Sequence, residues 1–185
     1  MRPERRELET IVRATPSLMR ALEAARDMNP PDWLIGAGAV RNAVWDRLHG
    51  FTEPTPPGDI DLAFFDPADL SREHGRSVEA ALHSQAPELP WEATNQAAVH
   101  LWFGGDAEPL RSSAEAVATW PETATCVALR LGVDDQLTVV APFGLEDLFA
   151  MVVRRNPARV SVADYERRLA SKRFVERWPR VAVVA

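Results

Sequence analysis

The sequence predicts an α/β (α+β) domain in which helices flank a mixed β-sheet of about five strands. Two observations support this prediction. Short apolar runs alternate with segments of helical periodicity over residues 4–110, which favours helices packed on a sheet. Two β-prone runs at residues 125–133 and 136–141 then flank an Asp134-Asp135 turn, which is typical of a hairpin and adds antiparallel strands.

The elements can be placed in order from periodicity, proline and glycine. A helix over residues 4–29 is interrupted near Pro16, and a glycine turn separates a buried strand at 33–35 from a helix at 39–49. The remaining predicted elements are a strand at 59–65, a helix at 71–84, a strand at 91–94, a short helix from Asn95 to about Phe103, a helix ending at 120, the hairpin, and helices at 144–153 and 161–178.

Length and composition indicate one soluble domain. The chain has 185 residues, of which 46% are hydrophobic, and its only cysteine is Cys126. We interpret residues 1–185 as a single domain, with N-terminal helices at 1–29, a core at 33–153 in which any catalytic chemistry is expected, and a C-terminal helix at 161–178. No apolar run is long enough for a membrane span, and no apolar segment follows the charged N-terminus. A cytoplasmic protein without a membrane partner is expected.

The net charge of −6 argues against a protein that grips long double-stranded nucleic acid. The basic residues nevertheless concentrate late in the chain. They are Arg154, Arg155, Arg159, Arg167, Arg168, Lys172, Arg173, Arg177 and Arg180. A solvated amphipathic helix, with its own acids, is the favoured interpretation of this segment, and a local basic patch is the alternative.

The chemistry is predicted at residues 33–66, where a strand, a glycine turn, a helix and a second strand follow one another. Gly36 and Gly38 let the backbone approach a ligand, and the helix that follows presents free N–H groups to phosphate. Arg41, one turn into this helix, could add a guanidinium to the same phosphate oxygens.

Asp59 and Asp61 are the predicted metal ligands. Residues two apart on a strand share a face and lie about 6.6 Å apart, so their carboxylates can share a pair of cations about 3.5–4 Å apart. Mg²⁺ suits carboxylate and phosphate oxygens, and Mn²⁺ is the alternative metal. Ile60, between them, points into the core.

Residues 35–42 resemble the Gly-Gly-x-Val-Arg-Asp turn of tRNA CCA-adding enzymes and bacterial poly(A) polymerases, in which an Asp-x-Asp strand also follows. Ala37 stands where that turn has its first glycine, and Asn42 stands where it has aspartate. Over residues 33–178 the chain resembles a family of bacterial nucleotidyltransferases in the DNA-polymerase-β-like superfamily. That family has Arg-Met-His after Asn95-Gln96-Ala97, where this chain has Ala98 and Val99 before His100.

The resemblance implies a polymerase-β-like nucleotidyltransferase fold and transfer of an NMP from an NTP to an acceptor hydroxyl, with release of pyrophosphate. The acceptor, which could be a small molecule, a protein or an RNA end, is not implied. The predicted nucleotide-binding residues are Gly36, Ala37, Gly38, Arg41, Asn42 and Asn95. For Asn95, a helix cap and a substrate contact are equally supported.

A third carboxylate often completes such a site on a later strand. Glu92 is the first candidate, because it begins the strand after the helix that follows the Asp pair, and Glu122 and Asp66 are the alternatives. A different function is also open. The chain could be a catalytically degenerate nucleotide-binding or partner-binding module with the same fold, since Ala37, the undecided third carboxylate and the missing family arginine leave room for it.

Overall fold

The computed structural model describes residues 3–102, 108–158 and 161–184, so the predicted helix end at Phe103 and Arg159 of the basic segment lie outside the described residues. In chain order the elements are α1 (Pro3–Arg13), α2 (Pro16–Met28), β1 (Leu34–Gly36), α3 (Gly38–His49), β2 (Ile60–Phe64), α4 (Arg72–Gln85), β3 (Trp91–Asn95), α5 (Ser113–Val117), β4 (Ala128–Leu131), β5 (Leu137–Val140), α6 (Glu146–Phe149), β6 (Val152–Arg154), α7 (Val162–Lys172), α8 (Phe174–Arg177) and β7 (Ala182–Val184), with 3₁₀ turns at Val99–Leu101 and Thr123–Thr125.

The main sheet has five strands in the order β3-β2-β1-β4-β5, which confirms the predicted mixed sheet. Strands β2 and β3 run parallel, whereas β1 pairs antiparallel with both β2 and β4, and β4 and β5 form the predicted hairpin. The parallel pair requires a crossover, which α4 supplies between the two strands.

Side-chain alternation along β2 explains how the sheet carries both a core and a site. Ile60, Leu62 and Phe64 belong to the main hydrophobic core, together with apolar residues of α2, α3 and α4. Asp61 lies between them in sequence, so its side chain points to the opposite face of the sheet. On β1, Leu34 packs in a second, smaller cluster that includes Val117 of α5. Apolar residues therefore pack on both faces of the sheet. Asp61, on the face opposite the main core, is half-buried.

Several predicted helix boundaries are confirmed by their caps. The break between α1 and α2 falls just before Pro16, and Gly50 ends α3 in the left-handed conformation with φ 70°. Ser71 caps α4, with its hydroxyl oxygen accepting a hydrogen bond from the His74 N–H at 3.2 Å.

The predicted helix at 144–153 is wrong beyond its first turn. Helix α6 ends at Phe149, Met151 has a positive φ of 56°, and the following residues form β6. This strand pairs in parallel with β7, a strand that local periodicity did not predict. The β-branched Val152 and Val153 favour a strand, and the pairing with β7 prevails over the helical pattern that continues from α6.

The predicted helix at 161–178 is split into two. Ser161 caps α7 as its sequence suggests, but Arg173 adopts a left-handed conformation with φ 51° and redirects the chain into α8. The short helix predicted to begin at Asn95 is also wrong, because Asn95 is the last residue of β3 and only a 3₁₀ turn follows, from Val99.

Helix α3 anchors two other segments through the buried carboxylate of Asp46. The Trp178 indole N–H donates to Asp46 at 2.7 Å, and the Thr55 N–H and hydroxyl donate at 2.6 and 2.7 Å. Trp45 packs edge-to-face on Trp178 with ring centroids 5.3 Å apart. The loop that leads to β2 and the segment after α7 are thus held by the same helix.

No helix within the described parts of the chain combines the length and apolar content that a membrane span requires.

Gly36 should not tolerate a side chain. A Cβ at this position would lie 2.6 Å from the Val127 carbonyl oxygen and 2.7 Å from both the Ala128 Cβ and the Trp120 ring. We expect Gly36→Ala to lower the free energy of unfolding by about 1–3 kcal/mol, measured by urea denaturation. Gly58→Ala is the control, because nothing lies within 4 Å of its Cβ position, and an equal loss in both variants would contradict this account.

Candidate active site

Three carboxylates meet at the start of the parallel strand pair. Strand register places Asp61 directly beside Glu92, and Asp59 precedes β2 by one residue. Each of the three residues offers an oxygen atom, and these oxygens lie within 4.8 Å of one another. Asp59 and Asp61 are half-buried and Glu92 is exposed, so the cluster opens to solvent on one side. The structure therefore brings together the predicted metal ligands and the first candidate for the third acid.

Crowding in this cluster affects the protonation of Asp61. Burial raises the pKa of the Asp61 carboxyl to about 6, and repulsion from Asp59 and Glu92 adds to the rise. The positive charges of Lys172 and Arg168 act in the opposite direction. A divalent cation would relieve this repulsion, and an all-oxygen donor set suits Mg²⁺.

The alternative third acids are engaged elsewhere. Glu122 is 1% exposed and accepts a hydrogen bond from the Thr125 hydroxyl at 2.8 Å. Its two carboxylate oxygens also accept hydrogen bonds from Nε and Nη2 of Arg168. Asp66 accepts from the Ala68 N–H and contacts His74 Nε2 at 2.9 Å, in the turn after β2. Neither belongs to the carboxylate cluster found among the described residues.

The carboxylates form one wall of a cleft of about 770 Å³. A second part of the lining, its floor, is the first turn of α3, with Ala37, Gly38, Arg41 and Asn42. A third part, the basic wall, comes from α7, α8 and the residue between them, which contribute Arg168, Lys172, Arg173 and Arg177. Acidic and basic residues that line one cleft together with a helix N-terminus can hold a metal-bound anion.

The turn before α3 is conformationally unusual. Ala37 has φ 51° and ψ −121°, a region in which glycine is favoured and an L-residue is strained. Its N–H donates to the Val127 carbonyl at 3.2 Å, which ties the turn to β4. Gly38 faces the cleft, since a Cβ there would lie 3.7 Å from Arg41 Nη2 and 3.8 Å from Asp59 Oδ1. A ligand at this turn would therefore touch both a cation and an acid.

Gly36, by contrast, does not line the cleft. It is the last residue of β1, and its missing Cβ allows β1 to approach β4 and Trp120. The structure thus gives this predicted nucleotide-binding glycine a packing role.

Arg41 is a buried cation beside the cleft. It is 4% exposed, and its guanidinium lies 4.8 Å from the Phe174 ring centroid and 5.4 and 5.7 Å from those of Trp45 and Trp178. Its Nη2 donates to the side-chain oxygen of Asn42 at 2.9 Å, whereas its buried Nε has no hydrogen-bond partner. The aromatic rings hold the guanidinium in place, and no carboxylate of the described residues forms an ion pair with it.

The electrostatic environment of Arg41 is unfavourable for its charge. Burial lowers the pKa of the Arg41 guanidinium to about 10, Glu122 opposes this change, and Arg168 and Arg177 reinforce it. An anionic ligand in the cleft would compensate for the lost hydration of this cation.

The structure does not bring Asn95 to the cleft. Asn95 is 1% exposed and ends β3, whereas Glu92 lies near the beginning of that strand. Its amide donates to the carbonyls of Asp66 and Asp69, both at 2.8 Å, and its oxygen accepts from the Asp66 and Ala97 N–H groups. These hydrogen bonds hold the loop after β2 against the end of β3. The Asn95 side chain therefore stabilises this loop and does not cap a helix.

The basic wall corresponds to the less favoured of the two interpretations of the late basic segment, a local basic patch. The favoured interpretation, a solvated helix face, holds for Arg167, which is exposed and paired with Asp164. Arg168 and Lys172, four residues apart, lie on the face of α7 that lines the cleft. The four-residue spacing predicts that Arg168 and Lys172 share a helix face. Whether that face lines the cleft depends on how α7 packs in the folded chain, for example through Tyr165 against β6 and β7.

The fold and the site together define the chain as an enzyme of phosphorus-containing group transfer. A family model described as "Nucleotidyltransferase" matches residues 23–183. The chain therefore belongs to this nucleotidyltransferase family.

Solved structures agree with this assignment. One, described as revealing a CCA-adding enzyme head domain, is 31% identical, with a TM-score of 0.83 over 97% of this chain and 95% of that one. A CCA-adding enzyme in complex with CTP is 17% identical, with a TM-score of 0.54 over 91% of this chain and 40% of that one. The Thermotoga maritima CCA-adding enzyme bound to tRNA is 18% identical, with a TM-score of 0.54 and coverages of 91% and 39%. The chain thus spans about two fifths of the length of these two enzymes. No curated protein matches the chain.

The raised pKa of Asp61 gives a pH-dependent stability prediction. The folded protein holds the Asp61 proton more tightly than the unfolded chain, so this group's contribution to stability is lost as pH rises from about 4 to about 6. We expect Asp61→Asn to stabilise the metal-free protein by about 1–3 kcal/mol at about pH 8 and by less at about pH 5. Urea denaturation in EDTA measures this difference. A stability difference between Asp61→Asn and the wild type that does not increase with pH would contradict this explanation.

Strain at Ala37 gives a second prediction. We expect Ala37→Gly to raise the free energy of unfolding by about 0.5–2 kcal/mol, because glycine adopts the observed φ and ψ without strain. Ala39→Gly, on the same helix but in regular helical conformation, is the control and should lower stability by at least about 0.5 kcal/mol. Thermal denaturation of both variants tests this, and two changes of the same sign would refute it.

Proposed function

We propose that this protein is a Mg²⁺-dependent nucleotidyltransferase of one domain, which moves an NMP from an NTP to an acceptor hydroxyl and releases pyrophosphate. The observation that carries the proposal is the convergence of three carboxylates with the first turn of α3 and a basic wall in one cleft. Its carboxylates suit a divalent metal, and its cations suit a polyphosphate.

Asp59, Asp61 and Glu92 would hold the metal, because they supply hard oxygen atoms within 4.8 Å of one another. When bound, Mg²⁺ would neutralise phosphate charge and make an acceptor hydroxyl more acidic. Mn²⁺ has the same donor preference and is the alternative. Glu92, the exposed member of the three, is the carboxylate best placed to take up the hydroxyl proton.

The remaining cleft residues would bind the nucleotide. The first N–H groups of α3 have no acceptor four residues earlier in the helix, so they can donate to phosphate oxygens, and Gly38 leaves room for this approach. Arg41 is held beside Gly38 and has no carboxylate in direct contact. Asn42, whose side-chain oxygen accepts a hydrogen bond from Arg41, would orient that guanidinium.

The acceptor is proposed as a hydroxyl of a small molecule, a protein or an RNA end. The chain is acidic, with a net charge of −6, which favours a small or protein acceptor over long RNA. One solved relative is bound to tRNA, but this chain covers only 39% of that enzyme's length. We further propose that the protein acts in the cytoplasm.

The degenerate-module alternative has less support. Ala37 and Asn42 do depart from the turn of the CCA-adding enzymes, and Ala37 adopts a strained backbone conformation. The three acids that metal chemistry would need are nevertheless all present in one cluster. Retention of the complete cluster favours an active enzyme.

Calorimetric titration of each of the four NTPs, with Mg²⁺ or with EDTA, tests the proposal. We expect one or more NTPs to bind only with Mg²⁺ and to lose this binding in Asp61→Ala. Pyrophosphate release should fall by at least about 100-fold in the same variant, since charge stabilisation is the main catalytic device. Asp27→Ala, on the exposed surface of α2, is the control and should match the wild type. Absence of NTP binding under every condition would refute the proposal.

A further inference from the structure

We infer that Lys172 and Arg177 bind the polyphosphate tail of the nucleotide, so that the segment formed by α7 and α8 (residues 162–177) completes the substrate site. This inference rests on the proposed function, because it takes the cleft as the NTP site. Neither residue was among the predicted nucleotide-binding residues.

Lys172 and Arg177 differ from the other basic residues of α7 and α8 in the cleft because no carboxylate of the described residues forms an ion pair with them. Five basic residues line it: Arg41, Arg168, Lys172, Arg173 and Arg177. Arg168 is already bound to the buried Glu122, and Arg173 is paired with Glu176.

Lys172 and Arg177 have no ion pair with any carboxylate in the described ranges 3–102, 108–158 and 161–184. Arg41 likewise contacts only the neutral Asn42 through its guanidinium hydrogen bond. Within the described residues, the cleft therefore presents three cations without direct counterions, together with three carboxylates that can hold a metal. A metal-chelated polyphosphate supplies negative oxygens to both groups.

The backbone explains how residues from two helices reach the same cleft. Lys172 is the last residue of α7, and the left-handed conformation of Arg173 turns the chain directly into α8. Arg177 ends α8, where its guanidinium lies 5.8 Å from the Trp178 ring centroid. Trp178 is itself anchored on Asp46, so the position of Arg177 is fixed to α3.

Lys172 and Arg177 line the same cleft as Asp61 and Arg41, so one bound polyphosphate can contact both groups. A compact ammonium and a planar guanidinium at these places can grip different phosphate oxygens of one tail.

Lys172 is the only lysine of the chain, which permits a direct chemical test. Pyridoxal phosphate condenses with a lysine amine to an imine and water, and borohydride then reduces the imine to a stable secondary amine. Peptide mass spectrometry distinguishes this product from modification of the N-terminal amine. We expect Mg²⁺ with inorganic tripolyphosphate, or with a bound NTP, to protect Lys172 from labelling, whereas a nucleoside should not protect it.

Affinity measurements on variants provide a second test of the inference. We expect Lys172→Gln and Arg177→Gln each to weaken Mg²⁺–tripolyphosphate and Mg²⁺–NTP binding by at least about tenfold in calorimetry, with little change for the corresponding NMP. Lys172→Arg should retain most of the affinity because it keeps the charge. Arg167→Gln is the matched control, since Arg167 is exposed on α7 and paired with Asp164 outside the cleft.

The outcomes separate this inference from the proposed function. If an NTP binds the wild type and both Gln variants equally, or binds without protecting Lys172, the inference is overturned and the proposed function stands. If tripolyphosphate binds and protects Lys172 while no NTP binds, Lys172 is a polyphosphate ligand, but its assignment to a nucleotide is overturned together with the proposed function. If neither tripolyphosphate nor any NTP binds, both are overturned.

Discussion

Repulsion among Asp59, Asp61 and Glu92 constrains the organisation of the whole site. The parallel register of β2 and β3 places Asp61 beside Glu92, and burial together with repulsion from Asp59 and Glu92 raises the pKa of Asp61. The protein offsets this repulsion with positive charge from another part of the chain, because Lys172 and Arg168 both act on Asp61. The metal-free fold therefore tolerates a cluster that a divalent cation would stabilise further.

Helix α3 links this charge arrangement to the hydrophobic core. Its first turn carries Gly38 and Arg41 at the floor of the cleft, while Asp46, farther along, accepts the indole N–H of Trp178. Trp178 in turn lies against the guanidinium of Arg41, with 5.7 Å between the guanidinium carbon and the ring centroid. One helix thus positions a cation that lines the cleft and the aromatic residues that hold it. A change in the packing of α8 would reach the cleft directly through these contacts.

Most of the fold could be predicted from the sequence, because the signals for it are local. Alternation along β2, Pro16 between α1 and α2, and the Ser71 cap each determine their element within a few residues. The pairing of β6 with β7 could not be predicted in this way, since it depends on strands nearly 30 residues apart in sequence. The break at Arg173 likewise has no local signal, because a non-glycine residue seldom adopts positive φ.

The same distinction applies to the candidate site. Asp59, Asp61, Gly38 and Arg41 lie within one segment, so their spacing was enough to predict that they would meet. Glu92 followed from topology, since it begins the next strand after a crossover helix. Gly36 and Asn95 were assigned to the nucleotide because their motifs suggested it, but steric contacts with β4 and backbone ties to the loop after β2 explain them better. The basic wall depends on tertiary packing, which periodicity alone does not provide.

The order in which these parts are synthesised has a consequence for the nascent chain. Ribosomes make the α3 turn and the acidic residues 59, 61 and 92 well before they make residues 168–178. Until that later segment emerges, Arg41 lacks the rings of Phe174 and Trp178, and Asp61 lacks the nearby charges of Arg168 and Lys172. A partly synthesised chain therefore contains the five strands of the main sheet and the three acids before it contains the basic wall of the cleft. The cleft is completed late in translation, after the framework that supports it.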